Sequence, residues 1–253
     1  MASVIAITNQ KGGVGKTTTA INLGAALAQM GKKVLLTDAD PQGNTTSGLG
    51  IEKNKLEKCI YDVLVEDADP AAVIVPTEQP GLSVMPATLR LAGAEIELVS
   101  ALAREQRLSK AFANVGGDYD YILIDCPPSL GLLTVNALTA ADKVLVPIQC
   151  EFYALEGLSQ LTKVIEMVRS HLNPHLAIGG VLLTLFDSRL NLSVQVAEDI
   201  KKHFGNLVFK TYIPRNVKLA EAPSFGQSAL AYDPTSKGSS AYIELAKEVI
   251  SLS

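Results

Sequence analysis

Val4-Ile5-Ala6-Ile7, followed closely by Lys11-Gly12-Gly13-Val14-Gly15-Lys16-Thr17-Thr18, decides the fold of this chain. A short apolar run feeding a glycine-rich turn, then good helix formers from Thr17 to Met30, has the strand–loop–helix form of a phosphate-binding loop. Glycines let backbone N–H groups converge on phosphate oxygens, and the helix N-terminus adds its partial positive charge. In such a loop Lys16 bridges the outer phosphates and the Thr17 hydroxyl serves Mg²⁺. The common pattern G-x-x-x-x-G-K-[ST] asks for glycine at position 10, where Gln10 stands, and this chain adds a second lysine, Lys11, at the front of the loop.

Outward from the loop, apolar runs alternate with helical patterns. Residues 3–8, 33–37, 82–85, 121–125, 143–147 and 180–184 read as strands, several of them continuous runs suited to burial on both faces of a parallel sheet. Helical patterns occupy 17–30, 92–115, 130–141, 154–172, 194–204 and 240–252. The alternation predicts right-handed βαβ units and an α/β fold, a doubly wound, mostly parallel sheet with helices on both faces. Ligands of such sheets bind at the carboxyl ends of the strands, where the glycine-rich loop already sits.

At 253 residues and 47% hydrophobic content the chain can build a sizeable core. It shows no internal repeat, low-complexity stretch or linker, so residues 1–253 are expected to form one domain. No run of about 18 apolar residues suggests a membrane span. The first strand begins close to Met1, so neither a signal peptide nor an appended DNA-reading domain is expected before it. Cys59, Cys126 and Cys150 are odd in number and lack C-x-x-C spacing, which suits a reducing cytosol and argues against a disulfide framework or a four-thiolate site. Cys126 reads as a small buried residue. His171 and His175 are separated by Pro174 and read as surface.

Net charge is −4, so binding to a polyanion requires a local patch. One exists between Asp187 and Lys218, where Arg189, Lys201, Lys202, Lys210, Arg215 and Lys218 outnumber Asp187, Glu198 and Asp199.

Two further segments carry chemistry. In Thr37-Asp38-Ala39-Asp40-Pro41-Gln42-Gly43-Asn44 two aspartates close a buried strand, where spacing i,i+2 directs both to one face. Carboxylates there can orient a water or join a Mg²⁺ shell, or simply cap the turn. Tyr121-Ile122-Leu123-Ile124-Asp125-Cys126-Pro127-Pro128-Ser129 ends an apolar run in Asp125, the form of a strand whose carboxylate meets Mg²⁺ directly or through water.

Taken together, these motifs resemble the deviant Walker A ATPases, the family that includes ParA, MinD and the nitrogenase iron protein. Ile213-Pro214-Arg215-Asn216-Val217-Lys218-Leu219-Ala220-Glu221-Ala222-Pro223-Ser224 is similar to the ParA/Soj partition branch, in a short form without an N-terminal helix-turn-helix. Cys150-Glu151-Phe152-Tyr153-Ala154-Leu155-Glu156-Gly157 also looks like that branch, and the likeness runs over the whole chain. The resemblance implies ATP and Mg²⁺ as cofactors. It implies that Lys11 reaches a partner subunit's nucleotide, that Asp40 positions the attacking water, and that Pro214 and Asn216 line the adenine pocket. Arg189 and Lys218 fall where this branch contacts DNA, although a lysine cannot form arginine's bidentate fork. An ATP-dependent homodimer on non-specific double-stranded DNA, a ParB-type centromere-binding partner that stimulates hydrolysis, and a cytoplasmic, nucleoid-associated location are further implications.

Three rival readings fit less well. A MinD-like membrane-surface regulator needs a basic amphipathic C-terminal helix, whereas the last helix has Tyr242, Leu245, Ala246 and Val249 along one side and balanced charge opposite, as expected of a helix docked on its own sheet. An iron–sulfur carrier needs cysteine motifs that Cys126 and Cys150 do not follow. A phosphate-loop kinase or synthetase needs an acceptor pocket, and no second constellation in the sequence suggests one.

Overall fold

Strands that are apolar on both faces must be covered on both faces, and the chain folds accordingly. The structure, a computed structural model, describes residues 2–151 and 154–252, with the backbone alone at 154–157. In the first half, β1 (Ser3–Ile7), α1 (Lys16–Gln29), β2 (Val34–Asp38), α2 (Asn44–Gly48), α3 (Ile60–Val65), β3 (Val75–Pro76), β4 (Leu82–Met85), α4 (Leu91–Glu97) and α5 (Arg107–Val115) follow one another. β5 (Tyr121–Asp125), α6 (Leu132–Ala140), β6 (Lys143–Gln149), α7 (Ala154–His171) and β7 (Ala177–Thr184) come next. The chain then runs through α8 (Asn191–Phe204), α9 (Val217–Glu221), α10 (Ala229–Tyr232) and α11 (Lys237–Ser251).

The sheet has seven strands in the order β3-β4-β2-β5-β1-β6-β7. Every pairing is parallel except the edge pair β3–β4. Alternate side chains of the central strands enter two separate cores. Ala6, Leu35, Ile122, Ile124 and Val144 join the core beneath α3 to α8. Ile5, Ile7, Leu36, Leu123 and Leu145 join the one beneath α1 and α11. Each fully buried Leu or Ile is worth about 1.5–3 kcal/mol relative to exposure, so the two-sided burial anchors the strand ends that carry the site.

All six expected strands exist. β3 was not expected; it has two residues, one of them a proline, the form an edge strand tolerates. The helix expected over 92–115 is interrupted. α4 ends at Glu97, 3-10 turns follow at Leu98–Ser100 and Arg104–Gln106, and α5 begins at Arg107. Ala103 breaks the run with φ 49°, a left-handed conformation that a helix cannot contain. The short helices α2 and α3 also escape a periodicity reading, being about a turn and a half long. α11 docks as its apolar side suggested: Tyr242, Leu245, Ala246 and Val249 are buried, in the core that α11 shares with α1. No helix among the described residues is long and apolar enough to cross a membrane. Cys59, Cys126 and Cys150 are buried free thiols. α7 closes at His171, leaving His175 beyond it.

Candidate active site

β5 lies between β2 and β1, so the loops leaving these three strands are neighbours at one edge of the molecule. The register pairs Ile7 with Asp125 and Asp38 with Asp125. Three motifs far apart in sequence therefore meet.

The glycine-rich loop is held from both sides. Asn9 Nδ2 donates to the Pro147 carbonyl at 2.8 Å, and its Oδ1 accepts from the Lys11 amide at 3.0 Å. Thr184 Oγ1 donates to the Val14 carbonyl at 2.8 Å. Gly13 at φ 75° and Gly15 at φ 88° supply the left-handed turns that carry the chain into α1, a conformation open to glycine at little cost. Lys16 is buried, with Nζ donating to the Lys11 carbonyl at 3.1 Å. Burial pushes its pKa down, and the charge of Asp125 opposes that shift.

Asp125 is the centre of the arrangement. Its Oδ2 accepts from Thr17 Oγ1 at 2.8 Å and from Thr45 Oγ1 at 2.7 Å. Its Oδ1 is buried and has no hydrogen-bond partner among the described residues. An unpaired buried carboxylate oxygen is costly, and beside a threonine hydroxyl at a phosphate loop it matches the hard oxygen ligands that Mg²⁺ takes alongside phosphate and water. No cluster of three or more His, Cys, Asp or Glu side chains able to cage a metal occurs among the described residues. The donor set thus fits Mg²⁺ shared with a phosphate, not an all-protein metal site.

The two aspartates at the end of β2 are held differently. Asp38 is fully buried; its Oδ2 accepts from the Thr46 amide at 2.8 Å and Thr46 Oγ1 at 2.7 Å, and its Oδ1 accepts from the Asp40 amide at 3.3 Å. That is the capping role the sequence left open for it. Burial raises its pKa and that of Asp125, and the charge of Asp38 adds to the shift at Asp125. Asp40 lies beyond the strand end and accepts from the Gln42 amide at 2.9 Å, shaping the Pro41–Gln42 turn next to the phosphate loop.

Lys11 is half-exposed and forms an ion pair of 2.6 Å with Glu151, which also accepts from Gln149 Nε2. Beyond Glu151, the branch-like segment passes through Phe152 and Tyr153, outside the described residues. On the other side of the loop a cavity of about 120 Å³ is lined by Gly13, Gly15, Thr18, Leu185, Asn216 and Tyr242. Asn216 therefore lines a cavity directly beside the phosphate loop. Its Oδ1 accepts from the Lys218 amide at 2.8 Å and caps α9, and its amide NH₂ has no acceptor among the described residues. Pro214 is not among the lining residues; it bridges Phe186 and sets the course of the strand-like segment that delivers Asn216.

That same bridge gathers the basic patch. The Arg215 amide donates to the Phe186 carbonyl at 3.3 Å, Tyr212 packs edge-on against Phe186 at 4.7 Å, and Lys201 lies 5.1 Å over the Tyr212 ring. Arg189 lies three residues after Phe186, its side chain 86% exposed and its fork closed on Asp187 at 2.9 and 2.6 Å. Lys218 pairs with Glu221 at 3.0 Å and sits 5.4 Å over Tyr232.

A family model described as an AAA domain matches residues 2–178. Sporulation initiation inhibitor protein Soj of Bacillus subtilis (strain 168) is 61% identical over 249 residues, covering 98% of each chain. Chromosome partitioning protein ParA of Caulobacter vibrioides is 58% identical, over 98% of this chain and 94% of that one. The chain belongs to the ParA/Soj family of partition ATPases. Among solved structures, one described as cobyrinic acid a,c-diamide synthase from Mycobacterium smegmatis with bound ADP and magnesium superposes with TM-score 0.87. It is 42% identical, over 99% of this chain and 94% of that chain.

Within this partition ATPase, several residues of the site enter through long-range contacts that no single motif announces. Thr45 reaches Asp125 across 80 positions, and Glu151 reaches Lys11 across 140. Leu185, at φ 51°, lines the cavity in a strained conformation that no local pattern announces. Thr45 stands in the polar run Gln42-Gly43-Asn44-Thr45-Thr46, where a hydroxyl beside the aspartates could have been suspected.

Proposed function

We infer that this chain is, over its whole length, a nucleotide-driven DNA-segregation switch. The observation that carries this reading is the bare Oδ1 of Asp125 beside Thr17, at the foot of a phosphate loop that presents two lysines. ATP and Mg²⁺ are the cofactors. Backbone amides of Gly12, Gly13, Val14, Gly15, Lys16, Thr17 and Thr18 cradle the phosphates, and buried Lys16 sits on the outer ones. Thr17 and Asp125 hold the cation, Asp125 directly or through a water. Bound there, Mg²⁺ neutralises charge on the β- and γ-phosphates. Asn216 meets the adenine, its NH₂ offered to a ring nitrogen, and Pro214 acts by setting the course of the segment that delivers it. Asp40 orients the attacking water.

Two chains sandwich two ATP molecules, and Lys11, released from Glu151, compensates charge in the opposite site. Dimerisation puts two copies of the Arg189/Lys218 patch on one surface. Phosphate contacts release counterions, so doubling them raises affinity for duplex DNA steeply and without sequence preference. Hydrolysis returns weakly binding monomers, and a ParB-type centromere-binding protein accelerates it. The nucleoid, in the cytoplasm, is then the surface on which the switch works.

Co-sedimentation with non-specific duplex DNA and with anionic liposomes, each with ATP, ADP or no nucleotide at two salt concentrations, tests the reading. The expected result is retention on DNA with ATP alone, falling steeply with salt and lost in Lys16→Ala. Retention on liposomes instead supports a membrane-surface regulator. ATP turnover that requires an added carboxylic acid and amine supports a synthase of the kind named for the mycobacterial structure.

A further inference from the structure

Behind the Pro41–Gln42 turn lies a cleft of about 460 Å³, bounded by that turn, the 53–59 loop and the turn at 88–90. Among the described residues its lining holds Lys53, Lys58 and Arg90 and no carboxylate, a local inversion of charge in a chain of net charge −4. The three cations are held differently. Arg90 is fixed: its guanidinium lies 4.5 Å over the Tyr61 ring and pairs with Asp62 at 3.1 Å and Glu66 at 3.3 Å. Lys53 Nζ donates to the Gln42 carbonyl at 2.7 Å, a neutral acceptor that leaves its charge uncompensated. Neither Lys53 nor Lys58 is in an ion pair among the described residues, although Lys55 nearby pairs with Glu52.

Apolar surface adjoins these ammonium groups. Leu89 is 72% exposed at the rim, and Leu56 and Pro41 line the walls half-buried. An inorganic anion would use the cations and leave the leucines wet. A peptide with carboxylates and aliphatic side chains in alternation satisfies both, because an extended chain presents neighbouring side chains to different surfaces. We propose that this cleft docks an acidic, leucine-bearing segment of a partner protein, with its carboxylates on Lys53 and Lys58 and an aliphatic side chain on the Leu56–Leu89 shelf. Docking draws Lys53 off the Gln42 carbonyl and so acts on the turn that positions Asp40. The docking itself needs neither the dimer nor DNA; only its effect on turnover rests on the ATPase reading.

Fluorescence anisotropy of the full chain with a fluorescein-labelled peptide of repeated Glu-Leu-Asp units tests this. Wild type binds saturably, and a Lys53→Glu/Lys58→Glu variant binds about tenfold or more weakly. Lys163→Glu/Lys237→Glu, with the same change in net charge on exposed sites elsewhere, stays within about twofold of wild type. If the charge reversals disturb folding by circular dichroism, Lys53→Gln/Lys58→Gln and Leu89→Ala serve in their place. The proposal falls if wild type does not saturate, if the control variant weakens as much, or if pyrophosphate displaces the peptide at equal concentration, which would make the cleft a small-anion site. The peptide changes ATP turnover in wild type and not in the double variant; unchanged turnover with binding intact overturns the link through Gln42. Failure of DNA retention would leave each of these outcomes readable.

Discussion

At the scale of single residues, the site separates groups that build the loop from groups that act on substrate. Asp38 is locked by three hydrogen bonds and supports the turn, whereas Asp40 uses its side chain for one local bond among the described residues and, in the proposed mechanism, orients a water. Asp40→Ala is therefore expected to lower single-turnover hydrolysis by about 10²–10⁴-fold, the range of a lost general base or water-positioning group. ATP affinity should be nearly unchanged, and hydrolysis at the wild-type rate would remove Asp40 from the reaction. Lys11 poses a different question, because Glu151 occupies it within its own chain. An ion pair this exposed is worth about 0–1 kcal/mol. Glu151→Gln should accordingly cost little stability while lowering the dissociation constant of the ATP-bound dimer by up to about thirtyfold, the most that about 1 kcal/mol from each of two protomers allows. Sedimentation velocity across a concentration series reads this directly. Weaker dimerisation would mean that Glu151 supports the interface instead of restraining Lys11.

At the scale of elements, the central strands and α1 were legible because each carries its signal within a few residues: a continuous apolar run, or a run that ends in glycines and lysine. The region 92–115 departs from its sequence pattern for an equally physical reason. Ile96, Val99 and Leu102 keep the apolar count high enough to suggest one amphipathic helix, yet all three are exposed, at 78%, 60% and 90%. They line no core, and Ala103 turns the chain left-handed between the two true helices. A left-handed non-glycine residue costs about 1–2 kcal/mol, against roughly 0.5–1 kcal/mol of extra chain entropy for glycine. Ala103→Gly should thus stabilise the fold by about 0.5–1 kcal/mol in urea denaturation; a loss of stability would show that the Ala103 methyl group packs more favourably than its strain costs. The site divides in the same way. Its phosphate loop, Asp40 and Asp125 sit in local motifs, but Thr45, Glu151 and Tyr242 enter through contacts between distant segments, which no window of sequence contains.

At the scale of the whole molecule, an acidic chain can hold DNA only if its cations are gathered and freed. The Phe186–Pro214 bridge does the gathering, bringing the segments that bear Arg189 and Lys218 side by side. Freeing is less complete, because Arg189 spends its fork on Asp187 and Lys218 is tied to Glu221. The Arg189 fork holds Asp187 down to a pKa of about 2, so Asp187 remains charged through neutral and mildly acid pH and, in the proposed DNA-bound state, competes with phosphate throughout that range. Acidification to about pH 5 should therefore not release Arg189, since a carboxylate titrates near its own pKa. Substitution should. Asp187→Asn is expected to strengthen ATP-dependent DNA retention by at least about twofold, as the arginine loses its internal partner. Arg189→Glu should abolish retention at moderate salt while ATP-dependent dimerisation persists. In a dimer that loses one phosphate contact per protomer, the slope of log affinity against log salt should shrink by about 2. Loss of dimerisation together with DNA binding in Arg189→Glu would place the residue in the fold or the subunit interface. An Asp187→Asn variant that binds DNA no better would show that the pair opens without cost when phosphate approaches, leaving the gathering of charge, and not its release, as the step that ATP controls.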